Sequence, residues 1–170
     1  MDQRLASNML QGAGRLLQHE IIYNLHVGPL SSYGSPLEYA LAVALELTIR
    51  IRYRHLISFI TLARPTDEDV KRSALDIEAD GSSIECVISP QVRIGRFTVD
   101  FFIAHVAGLE GSGCTKGLIV EVDGHDFHER TKEQARKDKA RDRELQGLGY
   151  KVLRFTGSEV WHDPFRCAQD

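Results

Sequence analysis

The sequence predicts an α/β domain, and three observations predict it. A capped helix opens at Ser35-Pro36-Leu37-Glu38. From Ile84 onward the apolar residues alternate in strand period. A short apolar run, Leu118-Ile119-Val120, then leads through two acids into a long charged helix and a further strand. The resulting core order is helix, strand, strand, strand, helix, strand. With 170 residues the chain suits one domain, or one domain with an appendage. Hydrophobic residues make up 42% and charged residues 26%, as in soluble globular proteins. A formal net charge of −3 argues against coating nucleic acid by bulk charge, but leaves room for a local basic patch.

Gln3 to Tyr23 reads as a helix weakened by Gly12 and Gly14, and residues 1–30 as a packing arm ahead of a domain spanning 31–170. Its start lacks an apolar run behind a basic segment, so no signal peptide is expected. In the capped helix Pro36 suits the first position and Ser35 with Glu38 forms a capping box. Leu37, Leu41, Ala44, Leu45 and Thr48 form the buried stripe. Glu38 lies at the margin of that stripe, either as a cap alone or facing an acidic site. Glu46 and Arg50 read as an exposed helical ion pair. Ile49 to Ala63 supports two readings, a strand or an extension of the helix.

Asp67 to Ala79 is a clear helix with an acidic first turn, turning Val70, Ser73, Ala74 and Ile77 inward. Ile84 to Ile94 and Phe97 to His105 are strands joined at Gly95-Arg96. In the second, alternation puts Phe97, Val99, Phe101 and Ile103 on one face and Thr98, Asp100 and Phe102 on the other. Asp100 is a charge within an apolar strand. Such a residue needs a partner, whether an arginine or a functional role. Glu129 to Leu148 is a long helix ending at Gly149, and Tyr150 to Phe155 a strand. Thr156 to Glu159 caps a short closing helix through Trp161.

Glu121 and Asp123 leave the central strand on one face, roughly 7 Å apart by strand rise. A proton, a basic partner or a divalent metal answers such a pair; a plain turn at Asp123-Gly124 is the alternative. Lys132, Arg136, Lys139 and Arg143 form one basic stripe of the helix that follows, either a solvated face or a contact for phosphates. Cys86, Cys114 and Cys167 are odd in number and lack CxxC spacing, so reduced thiols in a cytoplasmic protein are expected rather than a disulfide framework or zinc ribbon. No segment is apolar for long enough to span a bilayer.

Ser35-Pro36-Leu37-Glu38, the stretch PQVRIGRFTVDFF from Pro90 to Phe102, and the stretch from Ile119 to Trp161 beginning IVEVDGHDFHERTKEQ together carry a resemblance. The chain resembles the PD-(D/E)XK, or restriction-endonuclease-like, nuclease superfamily. The closer likeness is to its compact bacterial branch near the very-short-patch-repair endonucleases. The likeness covers roughly Ser31 to Pro164, with Ile49 to Ser83 unmatched. It implies a three-layer αβα core and a Mg2+- or Mn2+-dependent DNA endonuclease, with DNA as partner and a homodimer left open. It also implies that Asp100 and Glu121 are the paired metal-binding acids, the Val122 carbonyl a backbone ligand and Glu38 the acid of the N-terminal helix. The superfamily lysine belongs two residues after the Glu, where this chain has Asp123. Gln91, His128 and Lys132 are the candidates to replace it, and Asp123 is expected to help hold the metal. The missing lysine also suits a second function, a nuclease-like domain that binds nucleic acid or a protein without cutting. His125 and His128 alone do not make a zinc site.

Overall fold

The computed structural model describes residues 4, 7–8, 27, 29–52, 57–59, 65–79, 86–105, 117–124 and 132–170. In chain order these give α1 (Pro36–Arg52), β1 (Ile57–Phe59), α2 (Asp67–Ala79), β2 (Cys86–Ile94), β3 (Phe97–His105), β4 (Leu118–Asp123), α3 (Lys132–Gly147), β5 (Lys151–Thr156), α4 (Gly157–His162) and α5 (Pro164–Cys167). Of the predicted arm Arg4, Ser7, Asn8, Val27, Pro29 and Leu30 are described; the first three are helical, and Asn8 donates to the Trp161 carbonyl at 2.7 Å. Among the described residues no helix is long and apolar enough to cross a membrane.

The five strands form one mixed sheet in the order β1-β2-β3-β4-β5. β1 runs parallel to β2, β3 is antiparallel to both its neighbours, and β4 runs parallel to β5. The expected core order is present, with β1 and α2 inserted between α1 and β2. The ambiguous stretch divides: Ile49 to Arg52 continues α1, and Ile57–Phe59 is the strand at the sheet edge.

Each face of the sheet has its own core. Leu37, Leu41, Leu45 and Leu47 of α1 pack with Ile88, Phe101, Val120, Val160 and Phe165 on one face. Val70 and Ala74 of α2, and Leu145 of α3, pack with Val87, Val92, Val99, Phe102, Ile119 and Tyr150 on the other. Each large side chain of this kind contributes about 1.5–3 kcal/mol when fully buried.

Two sequence expectations for α1 need correction. The helix is buried nearly all round from Ala40 to Thr48, not along a single stripe, because it lies between the sheet and α4 and α5. The Glu46–Arg50 pair exists at 3.1 Å, but Glu46 is fully buried rather than exposed.

The caps fall where expected. Thr66 Oγ1 accepts from the Asp69 amide at 3.2 Å while Asp69 Oδ2 accepts from the Thr66 amide at 2.9 Å, closing the start of α2. Thr156 and Glu159 make the reciprocal capping box of α4. Gly157 matters here because a Cβ would come within 2.9 Å of the Asp123 carbonyl oxygen, so a side chain would push α4 off the end of β4.

The predicted alternation of β3 holds only in halves. Phe97 and Val99 belong to the α2/α3 core, whereas Phe101 and Ile103 belong to the α1 core and Phe102 to the α2/α3 core. β2 switches in step: Val87 and Val92 share a core although five residues apart. Pro90↔Phe101 and Val92↔Val99 are paired, so Gln91 and Asp100 face one another where both strands change sides. Gln91 has φ 52°, in the left-handed region that a side chain with a Cβ adopts only at a cost of about 1 kcal/mol or more. That backbone turn supplies the change of side.

Candidate active site

The site is built at the C-terminal end of β4 and around the Gln91–Asp100 kink. Regular alternation along β4 sends Leu118, Val120 and Val122 to the α1 core and Ile119 to the other core. Glu121 and Asp123 follow Ile119, and both are buried. Asp100, one strand over, accepts a 2.8 Å hydrogen bond from the Val122 amide through Oδ2. This bond ties the kinked part of β3 to the acidic end of β4. Val122 thus meets Asp100 through its N–H, and a metal role for its carbonyl stays an expectation.

Glu38 approaches from α1. Its Oε2 accepts from the Gly34 amide and from Gln91 Nε2, both at 2.8 Å, and its Oε1 accepts from Ser35 Oγ at 3.0 Å. Ser35 Oγ in turn accepts from the Glu38 amide at 3.2 Å. Glu38 is therefore a cap and a partner of the kink at once. Gly34 is tightly fitted, since a Cβ there would lie 2.8 Å from Glu38 Oε1.

Two arginines that the sequence reading gave no role complete the arrangement. Arg141, on α3, places Nη2 at 2.6 Å from Glu121 Oε1 and 2.5 Å from the Thr98 carbonyl. Arg154, on β5, joins Asp123 Oδ1 and Asp142 Oδ1 through its two Nη atoms, each at 2.7 Å. A signal for Arg141 was present: it lies one helical turn before Leu145, the fully buried residue of α3, and so on the inward side of the helix. Arg154 stands beside Glu121 in the β4–β5 register, which no single-strand pattern reveals.

The electrostatics are unbalanced. Among the described residues, Glu38, Asp100, Glu121, Asp123 and Asp142 gather around two guanidiniums. Burial, then the charge of Asp100, pushes the Glu121 carboxyl up to about 8, against the opposing pull of Arg141 and Arg154. An ion-paired carboxylate ordinarily titrates low; here desolvation and a like charge outweigh the pair. Burial also raises Asp100, opposed by the Val122 amide and both arginines, with Asp123 adding to the rise. Glu38 rises through burial and the charge of Asp100, opposed by its three hydrogen bonds. The acids of three elements thus feel one another. Among the described residues, however, no three of them converge closely enough to grip one ion.

Of the other candidates, Gln91 reaches Glu38, and Lys132, Arg136, Lys139 and Arg143 are all exposed on α3. His125 and His128 lie outside the described residues.

Compared with known families, the chain matches REase_MTES_1575, a restriction-endonuclease-like family, over residues 74–170, more than half its length. No curated protein and no solved structure matches it.

Proposed function

Since the chain belongs to the restriction-endonuclease-like family REase_MTES_1575, we propose that it is a Mg2+- or Mn2+-dependent DNA endonuclease that hydrolyses phosphodiester bonds. On this reading the sheet and its two helical layers form the αβα core of the superfamily, residues 31–170 the nuclease-like domain and residues 1–30 an arm. The observation that carries the proposal is the gathering of acids from α1, β3 and β4 around Asp100: Glu38, Glu121 and Asp123 are buried, and Asp100 is tied to β4 by the Val122 amide.

The residues fit a hard divalent cation in kind and charge. Oxygen donors are what such ions take, and acids gathered in a buried site favour a cation or a proton. Asp100 and Glu121 would hold the ion, with the Val122 carbonyl, while Asp123 and Glu38 add negative charge nearby. The bound ion would polarise the phosphate and lower the pKa of its water. The chain's own residues do the rest. The Val122 amide orients Asp100, and Gln91 and Gly34 orient Glu38. The exposed stripe of α3 holds the DNA backbone through phosphates, which fix position without reading sequence.

A second reading, a nuclease-like domain that binds without cutting, draws support from one observation: Glu121 and Asp123 each already carry an arginine. Incubation with plasmid and linear DNA separates the two. Cleavage in Mg2+ or Mn2+ that EDTA stops is expected; binding without cleavage in either metal selects the second reading.

A further inference from the structure

The two site arginines are held differently. Arg154 uses both Nη atoms, each on a carboxylate, and so bridges β5, β4 and α3. Arg141 makes both of its side-chain bonds through one nitrogen, Nη2, and one of them goes to a neutral carbonyl. The Nε atoms of both arginines are buried without a hydrogen-bond partner, and the Arg141 guanidinium carbon lies 5.6 Å from the centre of the Phe97 ring. The Arg141 side chain is 23% exposed, whereas that of Glu121 is 5% exposed. A guanidinium normally satisfies its donors when buried, often two at a time on one carboxylate. Each arginine is more exposed than the β4 carboxylate it meets, but Arg154 is held by two acids and Arg141 by one, through one nitrogen.

We propose that Arg141 is a displaceable internal cation: it and the divalent ion compete for the Glu121 carboxylate, and the ion enters by exchange with the guanidinium. The inference rests on the metal-dependent reading above. It assigns Arg141 a gatekeeping role rather than a catalytic one. Removing the competing charge must strengthen the site's pull on a divalent cation, because a positive charge in contact with a ligand oxygen repels the incoming ion. Arg154 is anchored by two acids and stays in place.

The test is calorimetric titration of the full-length protein with Mn2+. Arg141→Met should bind Mn2+ at least about tenfold more tightly than wild type. Arg141→Gln, which keeps a donor for the Thr98 carbonyl, should do the same should the methionine variant fold poorly. Lys137→Met removes one charge from the exposed side of the same helix, where Lys137 pairs with Glu133 at 3.3 Å, and should leave the affinity unchanged. Wild-type binding with no tightening in either Arg141 variant, or equal tightening in the Lys137 variant, overturns the exchange and leaves the endonuclease reading standing. Absence of Mn2+ binding at millimolar concentration in wild type and variants alike overturns both.

Discussion

Two clusters in this molecule bury a carboxylate near the sheet, and they solve the problem in opposite ways. At the start of β5, Asp67 of α2 accepts from Lys71 Nζ at 2.9 Å and from the Tyr150 hydroxyl. Lys71 also lies 5.9 and 5.6 Å from the ring centres of Phe102 and Tyr150. Burial works against the Lys71 charge, but the hydrogen bond and charge of Asp67 outweigh it and raise its pKa. One buried acid meets one cation and one hydroxyl, and the cation also reaches the exposed Glu68 at 3.2 Å. At the end of β4, among the described residues, five acids gather around two arginines, and burial and mutual repulsion raise the pKa values of Glu38, Asp100 and Glu121. The first cluster is built to stabilise; on the metal-dependent reading proposed above, the second is where a divalent cation would sit. Buried charge becomes informative about function when its partners are counted.

The comparison breaks most sharply under single substitutions. Asp100→Ala or Glu121→Ala should lower plasmid cleavage by about a thousandfold with a smaller change in melting temperature, because relief of like-charge repulsion offsets the lost bond of Asp100 to the Val122 amide or of Glu121 to Arg141. Asp67→Asn should do the reverse. It should lose about 2 kcal/mol, roughly 6 °C of melting temperature, and cut DNA at the wild-type rate. A cleavage defect in Asp67→Asn, or wild-type cutting by Asp100→Ala, would dissolve the distinction.

A third arrangement of charge sharpens it. Lys132, Arg136, Lys139 and Arg143 are exposed cations rather than buried acids. Measured against salt, DNA affinity should fall steeply, and replacing two of the four should make the log–log slope shallower by about two units. An unchanged slope would make the stripe a solvated face.

The pH dependence of stability in EDTA follows from Glu121. Its carboxyl titrates near 8 in the folded chain, above the value of about 4.3 expected when unfolded. Between those values the folded state holds the extra proton, so stability falls as pH rises. The contribution is complete below about pH 4.5 and lost above about pH 8. Thermal melts from pH 5 to pH 8 should show a loss of at least about 1 kcal/mol, and Glu121→Gln should flatten it. A wild-type profile that rises over this range contradicts the raised carboxyl.

The smallest effect belongs to Gln91. Gln91→Gly and Gln91→Ala both remove the amide from Glu38, but only glycine accepts φ 52° without strain. The glycine variant should therefore melt above the alanine variant by about 1 kcal/mol. Equal melting would mean the kink relaxes when its side chain is removed.

Much of this was legible in the chain and the remainder was not, for identifiable reasons. Helix Asp67–Ala79, strand Phe97–His105 and the caps at Ser35, Thr66 and Thr156 are local features, and local chemistry marks them. The exposure of Glu46 was misread because an i,i+4 ion pair looks the same on a buried helix. The faces of β3 were misread because the switch depends on Gln91 across the hairpin, and alternation is a property of a single strand. Arg141 and Arg154 were hidden among like residues in charged segments. Their roles depend on pairing β4 with β5 and on docking α3, both long-range events.

The paired change of side at Gln91 and Asp100 also constrains how the hairpin can assemble. In an ordinary hairpin a slip of two residues returns every side chain to its own face, so alignment is only weakly specified. Here such a slip would set the turn in β2 opposite regular β3 backbone. Phe101 and Phe102, both fully buried and in different cores, could not both reach their places. The irregularity therefore acts as a key cut into both strands: the two halves of the hairpin close in one alignment, and the alignment that closes is the one that presents Asp100 to Val122.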